Sequence, residues 1–180
     1  MKRYIRAATL EFGDPDLQTQ YEIAHSPNAR IGTLFRLADT DNDNVLSVIA
    51  RNKNATAELL DKIARRDSKY ANYWVARHPN ISVDTLIYLS EDPDCDVRMN
   101  VALNEHTPVN ILKKLAKDSG MWVRAHVAAN PNTPLSVLRQ LCRDPREEVR
   151  EEAFGHVPED IAEEERAKMF AKYNKSRKAK

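Results

Sequence analysis

"VAANPNTPLSVLRQLCRDPREEVREE", residues 127–152, holds two short helical patterns separated by turns. Leu135, Leu138, Leu141 and Cys142 form one apolar stripe at helical spacing. Val123, Val127 and Ala128 form a second on the preceding segment. Thr133 is placed to cap the first helix, and Pro134 suits its first position, as Thr107 and Pro108 do one repeat earlier. The other helix ends at Asn130, a residue able to take the left-handed backbone conformation, as are Asn52 and Asn104 at the same point of other repeats.

The stretch recurs. Residues 23–48, 49–74, 75–100 and 101–126 align with it without a gap, each 26 residues long. The first position is always Ile or Val and the second always Ala: Ala24, Ala50, Ala76, Ala102 and Ala128. The twelfth is always Leu: Leu34, Leu60, Leu86, Leu112 and Leu138. The fifteenth is Leu or Ile and the sixteenth small. A period in this range is the mark of stacked repeats. Helices of about ten residues are marginal alone in water, so each unit must bury its stripe against the next. The alanine column marks where neighbouring helices cross closely.

"VRAHVAANPNTPLSVLRQLCRDP" (123–145) and "VARHPNISVDTLIYLSEDPDCDVR" (75–98) resemble the bacterial leucine-rich repeat variant and, more remotely, HEAT-type helical repeats. The resemblance covers residues 14 to about 155. It implies an all-α fold: a right-handed α-α superhelix, or solenoid, of about five two-helix repeats with terminal caps. The period is a little longer than that family's usual one, and two scattered cysteines, Cys95 and Cys142, exclude the iron–sulfur segment some members carry. HEAT-type repeats pair an Asp before the second helix with an Arg inside it, which implies a ladder of Asp92 with Arg98, Asp118 with Arg124, and Asp144 with Arg150. The first two repeats have Thr40 and Leu46, then Arg66 and Asn72, at those places.

The domain reading is a leading cap over residues 1–22, five repeats over 23–152, a capping helix over 153–173 and a disordered basic tail over 174–180. On the capping helix, Ala162, Arg166, Met169, Phe170 and Tyr173 share a face.

Composition sets limits on function. Only 4 glycines and 31% charged residues suit a helical protein. Removing the seven basic residues from Arg166 onward leaves 21 basic against 27 acidic residues, a body of about −6. That sign suits a dedicated nucleic-acid binder poorly. Absent CxxC spacing, a signal-peptide run and an apolar span, the expected setting is the reducing cytoplasm, without membrane contact. "DTDNDN" (39–44) has the alternate carboxylates that begin a calcium loop, but Asn44 and Ala50 replace the required Gly and bidentate Glu. It reads as the acidic turn between the two helices of a repeat. No metal or cofactor site is expected.

Three outward positions on the second helices carry large or polar side chains in adjacent repeats: Tyr70, Tyr73 and Trp74; Asp96, Met99 and Asn100; then Trp122 and His126, with Arg77 nearby in register. HEAT-like stacks line their concave surface with these helices, so the residues are expected to form one aromatic patch of the kind protein partners use as hot spots. The competing explanation is that Trp74 and Trp122 fill space between repeats. The expected function is non-enzymatic capture of a protein or peptide. The alternative is nucleic-acid binding, more remotely as a relative of HEAT-like DNA glycosylases; Lys172, Lys175, Arg177, Lys178 and Lys180 in the tail could make weak contacts of that kind. There is no GxSxG, HExxH or phosphate-cradling glycine loop.

Overall fold

The computed structural model describes residues 16–178. These form twelve helices and no strand: α1 (Leu17–His25), α2 (Ile31–Leu37), α3 (Asp43–Arg51), α4 (Ala57–Ala64), α5 (Lys69–Arg77), α6 (Val83–Leu89), α7 (Cys95–Leu103), α8 (Val109–Leu115), α9 (Met121–Ala129), α10 (Leu135–Leu141), α11 (Glu147–His156) and α12 (Glu159–Lys178). The even-numbered helices from α2 to α10 start 26 residues apart, as do the odd-numbered helices from α1 to α11. The sequence period is therefore the structural period.

Two rows result. Successive odd-numbered helices pack directly on one another, whereas even-numbered helices touch their own row far less. The alanine column explains the tighter row: Ala24, Ala50, Ala76, Ala102 and Ala128 are all fully buried where these helices meet. The leucine column fills the layer between the rows, with Leu34, Leu60, Leu86 and Leu112 fully buried and Leu138 nearly so. Apolar burial at five matched sites turns helices too short to persist alone into one continuous core.

Side-chain amides stitch each repeat to the last. Asn52 closes α3 with an extended backbone (φ −71°, ψ 123°), and Asn104 and Asn130 do the same after α7 and α9. The expected left-handed stop is thus not used. The asparagine amide instead donates across the repeat boundary: Asn52 Nδ2 to Ala24 O at 2.7 Å, Asn104 Nδ2 to Ala76 O at 2.8 Å, and Asn130 Nδ2 to Ala102 O at 2.7 Å. Each Oδ1 accepts the backbone N–H two residues on. One side chain satisfies carbonyls that a helix C-terminus leaves open and also holds the following turn. His78 takes the asparagine's place after α5. Its Nδ1 accepts the Asn80 N–H at 3.0 Å, which puts the ring proton on Nε2, facing Asn52 O at 3.2 Å. Burial lowers the pKa of this histidine below its ordinary value, opposed by the bond to Asn52, and favours that neutral form.

The threonines also do something other than cap. Thr107 and Thr133 turn their hydroxyls back to Val101 O and Val127 O, and Pro108 and Pro134 stand at the cap positions themselves, with no side-chain cap bond. In two of the three repeats without proline, Thr56 and Ser82 occupy that position and do cap, accepting from Leu59 N and Thr85 N, whereas Arg30 in the first does not. The position before the cap is buried with or without proline, as Ala55, Ile81, Thr107 and Thr133 show, and a hydroxyl buried there needs a carbonyl.

The Asp–Arg ladder is present with different partners from those expected. Arg98 reaches forward to Asp118 with two bonds, 2.7 and 3.0 Å, and Arg124 reaches Asp144 at 2.7 and 2.9 Å. Within its own repeat each arginine meets only backbone: Arg98 donates to Asp92 O, Arg124 to Asp118 O, and Arg150 to Asp144 O. The bonds cross between repeats because each unit stacks its turn beside the preceding unit's odd-numbered helix. Asp92, with Asn72 where an arginine would stand, accepts that amide at 3.0 Å instead. Burial alone would raise Asp118 and Asp144, but the guanidinium bonds and a backbone N–H outweigh it and hold both below the usual carboxylate range.

In "DTDNDN" the cap of α3 is Asn42, which accepts from Asn44 N and Val45 N. Asp39 and Asp41 lean onto the next repeat, pairing with Lys62 at 2.7 Å and Arg66 at 2.6 Å. Asp39 and Asp41 therefore tie the first repeat to the second.

At the far end α12 runs on to Lys178, past the expected end of the capping helix at 173 and into the stretch read as a disordered tail. Nothing in 159–178 breaks a helix, and its terminal lysines and arginine complement the dipole. Ala162 and Ile161 are buried on the last repeat, and Arg166 lies over the Phe154 ring at 4.6 Å. Fully buried Glu165, which the apolar pattern does not single out, is held by Arg143, with one bond of 2.6 Å, and by Lys168. Those bonds outweigh burial and bring it down to about 2. The side chains of Met169, Phe170, Tyr173, Lys172, Lys175, Arg177 and Lys178, together with residues 1–15, 179 and Lys180, lie outside what the structure describes.

Candidate partner-binding surface

The odd-numbered helices present the residues the sequence singled out, but as separate groups. One group is tight. Tyr73 and Trp74 on α5 meet edge to face, 5.1 Å between centroids at 81°. Arg51 from α3 stacks over Trp74 at 4.6 Å, and Arg77 lies 5.6 Å from Tyr73 and 5.9 Å from Trp74. Arg77 also donates to Asn100 Oδ1 at 3.0 Å. Trp74 is half-buried against the core. It therefore both fills space between repeats and offers an edge to solvent.

The other predicted members do not join that group. Tyr70 (64% exposed) and Trp122 (56% exposed) project at the starts of α5 and α9. Among the described residues no ring contact links Trp122 to Tyr73 or Trp74. Asn100 is buried, its amide donating to Asp96 O at 2.7 Å, and Met99 packs half-buried on the core. His126 faces Trp122 O through Nδ1 at 2.7 Å, an i, i+4 bond along α9. The single continuous patch expected from repeat register is thus broken at α7: a shorter polar side chain there turns inward to a carbonyl, and Ala125 on α9 is buried as well.

Sequence reasoning missed Arg51 and the clefts it shapes. Three shallow clefts of about 250, 300 and 340 Å³ follow one another where the odd-numbered helices end. His25, Arg51 and Arg77 stand in the same repeat column, and Arg51 and Arg77 each line two adjacent clefts. Lys53 lines the first two, and buried Ala24, Ala50 and Ala76 lie at their floors. The signal was available: Arg51 is one period before Arg77. Among the described residues Arg51, Lys53 and Arg77 have no carboxylate partner, whereas Lys62, Arg65, Arg66, Lys69, Arg98 and Arg124 all have one.

Asp94, Cys95 and Asp96 bring three possible metal-ligand atoms within 4.8 Å. Asp94 is already committed, capping α7 and pairing with Lys69 at 2.5 Å, and the other two residues are exposed. No helix among the described residues is long and apolar enough to cross a membrane.

No curated protein and no solved structure matches the chain. Residues 122–146, from the first turn of α9 through α10 to the edge of α11, match the family model of the leucine rich repeat variant, which supports the helical-repeat resemblance over about one period of the stack.

Proposed function

We propose that this chain is a non-enzymatic binding module, in which the odd-numbered helices form the concave face of a right-handed solenoid and take up a protein or peptide partner in the cytoplasm. Closer packing within that row than within the even-numbered row supports its being the inner side of the bend. The observation that carries the reading is the Tyr73–Trp74 pair set between two arginines that no carboxylate of the described residues neutralises. Aromatic and arginine side chains, partly desolvated and rigidly held, are what dominate binding energy at protein interfaces.

The test is a triple substitution, Tyr73→Ala, Trp74→Ala and Trp122→Ala. Pull-down of a partner from nuclease-treated lysate should be lost while the circular-dichroism spectrum stays helical. Unchanged capture would place the binding face elsewhere. Capture that survives only without nuclease would favour the nucleic-acid reading.

A further inference from the structure

We infer that the clefts at the ends of α1, α3 and α5 bind an acidic peptide in polyproline II conformation, with carboxylates three residues apart. This deepens the protein-binding reading above and rests on it.

Charge complementarity chooses the partner. Arg51 lies over the Trp74 ring at 4.6 Å and Arg77 at 5.9 Å, contacts that hold both guanidiniums beside one ring. A guanidinium so placed can offer its N–H groups as a fork to a carboxylate. Only one Arg77 nitrogen is engaged, by Asn100. Lys53 adds a third cation without an acidic partner among the described residues, and His25 extends the row by one repeat. A last-turn cation also complements its helix dipole, but that accounts for charge alone. It does not account for two arginines converging on one indole ring.

Spacing chooses the conformation. Successive packed helices lie about 8–10 Å apart. Three residues of polyproline II cover roughly 9 Å and complete one turn, so side chains at i and i+3 face the same way. A chain running across the helix ends would therefore bring every third side chain to an equivalent cleft. A long polyanion fits less well. The aromatic face of Trp74 is occupied by Arg51, and Glu147, Glu148, Glu151 and Glu152 stand exposed on α11 further along the stack.

The experiment is selection of a random dodecapeptide phage library on the full chain at low salt. Enrichment of peptides with Asp or Glu at i and i+3 is expected. The best such peptide should bind Arg51→Gln/Arg77→Gln at least tenfold more weakly, with the melting temperature of the variant unchanged. Enriched peptides without acids would overturn the inference while leaving the protein-binding reading standing. Equal affinity for the variant would do the same. No enrichment at all would sink both. A twelve-thymidine oligonucleotide that bound more tightly than every selected peptide would overturn the inference in favour of a nucleic-acid ligand.

Discussion

Arginine occupies different columns in the two halves of the stack. From α7 onward Arg98, Arg124 and Arg150 sit inside the odd-numbered helices and are spent on neighbouring carboxylates and turn carbonyls. There the column at the helix ends is Leu103 and Ala129. Before α7 the distribution inverts: Leu46 and Asn72 stand in the ladder column, while His25, Arg51 and Arg77 stand at the helix ends. In these two columns one half fastens its guanidiniums to neighbouring turns and the other displays them, although Arg66 also ties the first two repeats together. The turns differ in the same sense. Asp67 takes a left-handed φ of 54° where later repeats place Pro93 and Pro145, whose rings forbid it. In these columns the same helical frame thus carries paired arginines at one end and, among the described residues, arginines without a carboxylate partner at the other.

The sharpest way to break this contrast is to remove one arginine from each half. Arg124→Ala strands Asp144, almost wholly buried, and should cost about 3–5 kcal/mol in urea unfolding. Arg51→Ala removes an exposed cation without a carboxylate, together with its contact to Trp74, and should stay within about 1 kcal/mol. Similar losses from both would erase the distinction. The leucine column supplies the control, because it does not differ between halves. Leu60→Ala and Leu112→Ala, both fully buried, should each cost about 2–5 kcal/mol by the same measurement.

Acid should separate the halves further. Glu165 and Asp144 are buried, Asp118 is nearly so, and all three have lowered values in the folded chain, so they bind fewer protons than the unfolded chain does. Asp39 and Asp61 in the first half are lowered too, but their exposure to solvent screens the effect. The contribution of Glu165, Asp118 and Asp144 is full above the ordinary carboxylate values and is lost as pH falls through the folded ones, about 2 for Glu165. Hydrogen exchange at pH about 3 should therefore show α9 to α12 losing protection before α3 to α5. In Glu165→Gln the loss at α12 should already be present at neutral pH. The smallest effect concerns His78. Its folded value is lowered, so stability falls as pH drops below about 6.5, the ordinary value. His78→Asn restores the asparagine of the other repeats and should flatten that slope while changing stability at pH 8 by less than about 1 kcal/mol.

The sequence by itself determined the repeat, its length, the helix pairs and the residues that fill the core. Those follow from local periodicity and from burial of apolar side chains, which obey the same rule in every unit. Leu112 could be placed in the core without coordinates. Tertiary structure alone decided which partner each polar group found. Arg98 pairs with the following repeat's Asp118 rather than with Asp92, Asn130 bonds a carbonyl 28 residues back, and buried Glu165 anchors the cap. It also decided that Asn100 turns inward and that Arg51 joins Trp74. The physical reason is the offset with which one repeat stacks on the next. That offset sets which atoms come within hydrogen-bond reach across the boundary, and the spacing along the chain does not encode it.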